Sequence, residues 1–317
     1  MKNLFRKTCN LLLVKQILMK KRIVWLFGSL VYFGWNYHFV GLRPEHVGLY
    51  VALGGLYVAH PETRRFVLAF SAFIIYWIVY DSMRVVPNYM VNPVHVAEPY
   101  YLEKAWFGLT AADGHRLTLN EYFAQNTHPF LDVLTGLFYL NWVPIPLVFA
   151  YWLFRHDKPL FLRFSYGFLF TNLLGFLIYY LYPAAPPWYI ELHGFEVHFD
   201  TPGNPAGLLK FDAFFGIRLF AGMYQKSANV FAAIPSLHSA YPVLCLLYGW
   251  KLRKKWLNTA FAIFVAGVWF AAVYTRHHYV IDVLAGAAVA VSGYWLFQYL
   301  TTQTPLRHRI NALQERI

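Results

Sequence analysis

The chain has 317 residues, of which 58% are hydrophobic, 20% aromatic and only 13% charged. Soluble domains carry about 25% charged residues, so a soluble enzyme, a disordered chain and a coiled coil are excluded and a polytopic membrane protein remains. In that setting the net charge of +12 speaks of orientation, because Lys and Arg are retained on the cytoplasmic side, and not of nucleic-acid binding.

A spanning helix needs about 20 mainly apolar residues. The chain offers eight candidates, at 23–41, 46–60, 66–83, 130–153, 161–182, 232–250, 256–275 and 279–300. The expected fold class is all-α: a polytopic membrane helical bundle of about 6–8 transmembrane helices. Residues 1–22 hold seven cations and no acid, and no small-residue cleavage site follows them. They read as a cytoplasmic basic tail. A membrane domain at 23–300 follows, with its catalytic core at about 130–300, and then a second cytoplasmic tail at 301–317. Cys9 lies in the polar tail and Cys245 in an apolar run, so no disulfide framework is indicated. The connections at 84–129 and 183–230 are long and polar.

With the N-terminus inside and eight crossings, 19 of the 27 Lys and Arg but only three of the 15 acidic residues fall on the inner side. The positive-inside rule supports that orientation. Dropping the short 46–60 span would invert everything upstream and put the seven N-terminal cations outside, so the segment is kept.

This topology gathers four polar clusters at the outer face: Asp81 to Arg84, Tyr182 to Tyr189, Pro235 to Ser239, and Tyr274 to Asp282. His278 and Asp282 are four apart and share a helix face. An aspartate near the bilayer centre costs about 2.5–3.5 kcal/mol and needs a partner. A carboxylate on one ring nitrogen fixes the tautomer and leaves the other nitrogen free as a nucleophile. The plain alternative is a structural pair pinning a helix end. His277 points elsewhere, and a surface position at the interface is its ordinary reading. His238 opens a helix after Pro235 and suits protonation of a leaving oxygen, or simple packing at the helix start. Ser236, with Ser239 and the first-turn N–H groups, suits an oxyanion, and Ser236 suits a helix N-cap equally well. Arg276 and Arg84 suit a phosphate through their guanidinium forks, or snorkel to headgroups. A metal held by His238, His277, His278 and Asp282 is the rival arrangement. It is disfavoured because no Cys joins them and a cation stands nearby.

The run Pro235-Ser236-Leu237-His238-Ser239, followed some 40 residues later by His278-x-x-x-Asp282, resembles the type 2 phosphatidic acid phosphatase superfamily. Its inositol phosphorylceramide synthase-like branch, the aureobasidin target and its bacterial relatives, is the most similar. Leu237 stands where the phosphatases usually carry Gly. The double His277-His278, the Pro186-Pro187-Trp188-Tyr189 turn, and the segment from Val94-His95-Val96 through Glu103 to Phe107-Gly108 also fit that branch. The resemblance covers residues 76–290. It implies that His278 attacks phosphorus to form a phosphohistidine, that Asp282 orients it, and that His238 protonates the leaving group, with no metal and no cofactor. The phosphatases' Lys and Arg-Pro motif is absent, and Ala272 stands where they carry an Arg six residues before the nucleophile. Arg276, Ser236 and Arg84 are therefore the candidate phosphate-binding residues.

The expected function is transfer of a phospho-headgroup, phosphoinositol or a similar group, from a glycerophospholipid to ceramide or a related lipid alcohol. The partners expected are membrane phospholipid and ceramide-like lipid substrates within the bilayer, and no nucleic acid. A lipid phosphate phosphatase using the same His/His/Asp set is the alternative. A transporter is a further one, with Asn141 and Asn172 as its mid-bilayer polar residues. A two-histidine enzyme predicts a bell-shaped pH profile. The active site is expected on the extracytoplasmic face, with the compact loops favouring a bacterial inner membrane; in a eukaryotic cell the Golgi would be its place.

Overall fold

Prolines set many of the boundaries. Pro44, Pro61, Pro129, Pro144, Pro159 and Pro187 each lie in the first turn of a helix, where the missing N–H is no loss and the fixed φ already suits the helix. The computed structural model describes residues 23, 25–225 and 229–317. The basic tail expected at 1–22 lies outside the described residues.

The chain is an all-α polytopic membrane protein and divides into two compact units, 1–59 and 60–317. In the first, a helical stretch at 25–35 runs through a π-turn, Asn36–Val40, and is followed by α1 (Pro44–Ala59). Tyr50 joins the two arms: its ring meets Phe33 edge-on at 4.8 Å and stacks on Tyr32 at 6.0 Å.

The second unit opens with α2 (Pro61–Ala69) and α3 (Ser71–Ser82), which bend by 52° at Phe70. The sequence suggests one continuous span here. The Ser71 hydroxyl donates to the Leu68 carbonyl at 2.7 Å, the back-bonding that bends helices. A second expected single span is also bent. The helices α6 (Pro129–Leu140) and α7 (Pro144–His156) meet at 42°, because Pro144 has no N–H for the Leu140 carbonyl and its ring collides with the preceding turn. Among the described residues three helices are long and apolar enough to cross a membrane alone: α8 (Lys158–Leu181), α13 (Lys255–Tyr274) and α14 (Val280–Gln303); the bent pairs bring the number to five. The expected 232–250 span is shorter, a 14-residue helix α12 (Leu237–Trp250). Its first residues are extended because Ala184 and Phe231–Ala233 form a ladder: Ala184 N–H donates to Phe231 O and Ala233 N–H to Ala184 O.

The two long connections are not featureless. The first carries α4 (Ala97–Phe107), a two-stranded hairpin of β1 (Leu109–Thr110) and β2 (Arg116–Leu117), and α5 (Leu119–Gln125). The α5 start is a capping box in which Thr118 and Glu121 satisfy each other's backbone N–H groups. The second carries α9 (Pro187–His193), α10 (Leu209–Phe215) and α11 (Leu219–Tyr224). A final helix, α15 (Leu306–Gln314), ends the chain.

At the centre α12 packs against α13 and α14, while α8 packs against α14, α3 and α7. The main core joins Phe161, Phe164 and Phe168 of α8 to Leu237, Tyr241, Leu244 and Tyr248 of α12. In lipid, close approach depends on small residues. A Cβ at Gly286 of α14 would overlap the Ser236 carbonyl oxygen, and one at Gly175 of α8 would come within 2.6 Å of Leu237. Both glycines crowd the start of α12, which carries His238. The mid-bilayer candidates Asn141 and Asn172 are internally satisfied: Asn141 donates to Leu137 O at 2.8 Å, and Asn172 donates to Phe168 O at 2.8 Å and accepts the Tyr241 hydroxyl at 2.5 Å.

Candidate active site

The end of α13 and the start of α14 form a tight turn at 275–279. The N–H groups of His277 and His278 both donate to Ala272 O, at 3.1 and 3.0 Å. Arg276, immediately before them, takes a left-handed φ of 65°, a conformation that non-glycine residues adopt rarely and at a cost of order 1–3 kcal/mol. The turn is clamped from α5: Asn120 Nδ2 donates to Val273 O and to His278 O, both at 2.9 Å. It is tied to α12 as well, because Ser236 N–H donates to Asp282 O at 2.9 Å.

These ties bring His238, His278 and Asp282 together. His238 Nδ1 lies 3.2 Å from His278 Nε2. On the other edge of the His278 ring, Nδ1 lies 3.5 Å from Asp282 Oδ2. That separation is at the limit of a hydrogen bond, and both His278 Nδ1 and Asp282 Oδ1 are otherwise unpartnered. His278 is 5% exposed and Asp282 0%. Asp282 Oδ2 also accepts the Tyr279 N–H at 2.9 Å. A proton on Nδ1, facing the carboxylate, leaves the Nε2 lone pair aimed at His238. Burial pushes His278 down to about 4, so the ring is neutral at neutral pH, as a nucleophile must be.

The remaining sequence candidates are placed differently. Ser236 is fully buried and caps α12, its Oγ accepting the Ser239 N–H at 3.3 Å and lying 3.0 Å from Ser239 Oγ. Arg276 is turned onto α9, where it pairs with Glu191 at 2.7 Å. Arg84 engages Asp81 at 3.2 Å at the end of α3. His277 is not a surface residue. It is 4% exposed and lies between the rings of Tyr224 (4.6 Å) and Tyr139 (5.2 Å), with Nε2 3.1 Å from Pro205 O. Burial, then the neighbouring His278 and His238, hold it well below the usual imidazole range.

Three residues of the site escaped sequence reasoning. The Tyr139 hydroxyl lies 3.2 Å from His238 Nδ1, and Trp142 meets the same imidazole edge-on at 4.3 Å. Both sit in an apolar run where aromatic residues are indistinguishable from packing. Asn120, in a polar connection, carries no local signal. Among the described residues no three His, Cys, Asp or Glu side chains converge as metal ligands would.

The family model of the PAP2 superfamily matches residues 108–296. The chain belongs to the PAP2 superfamily. Within it, the chain is 46% identical over 262 residues to the phosphoinositol dihydroceramide synthase of Bacteroides thetaiotaomicron, covering 82% of this chain and 86% of that one. It is 31% identical over 258 residues to the inositol phosphorylceramide synthase catalytic subunit of Saccharomyces cerevisiae, covering 79% of this chain and 60% of that one. With the inositol phosphorylceramide synthase of Candida albicans it shares 32% identity over 184 residues, 57% of this chain and 39% of the relative. No solved structure matches. This PAP2 chain thus spans most of its bacterial relative and less than two thirds of the fungal ones.

Proposed function

We propose that this protein is a lipid phosphotransferase that moves phosphoinositol from phosphatidylinositol to the hydroxyl of a ceramide-type lipid. The observation that carries this is the facing pair His238 Nδ1–His278 Nε2 at 3.2 Å, backed by buried Asp282, in a chain whose relatives are named as synthases of this kind. The Nε2 lone pair of His278 attacks phosphorus, the bond from phosphorus to the diacylglycerol oxygen breaks, and His238 protonates that oxygen. The lipid hydroxyl then attacks the phosphohistidine, its proton passes to His238, and the phosphorus–nitrogen bond breaks. Asp282 stabilises the charge that His278 gains on phosphorylation.

Water must be kept from the intermediate, or the enzyme becomes a phosphatase. The near-complete burial of His277, His278 and Asp282, with Pro205 and Tyr224 lying against His277, supports transfer over hydrolysis. Of the candidate phosphate contacts, Arg276 is the best placed, two residues before the nucleophile, once its bond to Glu191 is exchanged for phosphate. We assign the site to the extracytoplasmic face, on the distribution of cations along the sequence.

Purified protein, incubated with labelled phosphatidylinositol with and without dihydroceramide, tests this. Labelled inositol phosphoceramide, dependent on dihydroceramide and abolished in His278→Ala, is the expected result. Release of phosphate from a lipid phosphomonoester with no ceramide product would assign a phosphatase instead.

A further inference from the structure

Glu103 lies on α4, five residues before the PAP2 match begins at 108, and it is completely buried. Its Oε1 accepts the Val280 N–H and its Oε2 the Ile281 N–H, each at 3.1 Å. Those are the first two N–H groups of α14, which have no partner inside their own helix. With Tyr279 N–H held by Asp282, three consecutive donors directly after the nucleophile are bound by two carboxylates, one of them delivered from outside the helix.

We propose that Glu103 is a positioning residue for the reaction, holding the His278 turn and Asp282 in register from α4. The proposal rests on the two-histidine mechanism above.

A buried carboxylate is stabilised here by two backbone donors and the positive end of α14. Among the described residues no cation pairs with it: the adjacent Lys104 is occupied by the Tyr100 hydroxyl (2.7 Å) and Glu121 (3.8 Å). The groups facing it are Asp282 and Tyr279 from the α14 side, Glu121 from α5, and Tyr100 and Lys104 on its own helix. Burial, countered by the two N–H bonds and reinforced by Asp282, pushes Glu103 up to about 7. Only the ionised form offers two full acceptors, so the clamp loosens as pH falls through neutrality. His278, at about 4, is too acidic to produce a limb there. The linked stability runs the other way. The folded state binds a proton that the unfolded chain releases between pH 4.5 and about 7, so stability from this group falls as pH rises through that window.

The test is kcat and KM from pH 5 to 9, with thermal unfolding, for the full-length protein and its Glu103→Gln and Glu103→Asp variants, using phosphatidylinositol and dihydroceramide in mixed micelles. For Glu103→Gln we expect kcat to fall about 10–100-fold, as misplacement of a reacting group does. KM should stay within about twofold, because both Glu103 oxygens are taken up by backbone N–H groups of α14 and act on the turn, not on the substrate. The acidic limb near pH 7 should move down by about one unit or more, and the pH dependence of unfolding should flatten between 5 and 7. Glu103→Asp, which retains the charge, should keep the limb near 7 at reduced rate. A Glu103→Gln protein with unchanged kcat and limb would overturn the proposal. So would one whose activity falls only in step with its folded fraction while the limb stays in place. If the unsubstituted protein yields no product, or His278→Ala retains it, two-histidine catalysis itself fails and the Glu103 role with it.

Discussion

In the proposed mechanism the facing nitrogens of His238 and His278 divide the chemistry so that neither ring acts alone. His278→Ala and His238→Ala should each lower the transfer rate by at least about 10³-fold, and the double variant should be no slower than the worse single one, since residues acting as a unit are not additive. Asp282→Asn replaces the acceptor facing His278 Nδ1 with an amide able to donate. It favours the wrong tautomer and should cost about 10³–10⁴-fold in kcat with little change in KM. Single-turnover formation of labelled, acid-labile phosphoenzyme measures both effects. His238, His278 and Asp282 were legible in the sequence because titratable residues in an apolar chain are rare and their spacing is specific. The partner of Arg276 was not, because Glu191 is 85 residues away and nothing local links them. The burial of His277 between Tyr139 and Tyr224 was hidden for the same reason.

Helices α12 and α14 are held together by a backbone bond, Ser236 N–H to Asp282 O, and by the absence of a side chain at Gly286. Gly286→Ala should force the two helix starts apart and cost about 1–3 kcal/mol, seen as a lower midpoint of thermal unfolding, with activity falling further than the folded fraction. Asn120→Ala removes the two donors that clamp the 273–278 turn. It should cost about 1–3 kcal/mol for the stranded carbonyls and lower kcat in the transfer assay. The long apolar helices were readable from hydropathy alone. The kinks at Phe70 and Asn141–Val143 were not, although Pro144 marks one of them. The helices within 84–129 and 183–230 were missed because each is 11 residues or fewer, too short for periodicity to stand out.

At the scale of the helix bundle, the candidate site residues and a set of cations lie at opposite ends of α12 and α14. His238 opens α12 and Lys251 follows its end; Asp282 opens α14, and Arg307 and Arg309 follow its end. At about 1.5 Å per residue the 24 residues of α14 span roughly 36 Å, the thickness of a bilayer core with some tilt. In a variant whose Cys9 is replaced by Ser, a cysteine at Lys254 should react with impermeant thiol reagents only from the cytoplasmic side, and one at Asp113 only from the other. Cys245 is buried and should stay silent.

The bond between Ser236 and Asp282 has a consequence for how the protein is made. On the mechanism proposed above, the general acid arrives with α12, while the nucleophile and its carboxylate arrive some 40 residues later with α14. A chain emerging from the ribosome therefore carries α12 and α13 into the bilayer as a chemically inert object. On that mechanism it becomes an enzyme only when α14 closes against α12.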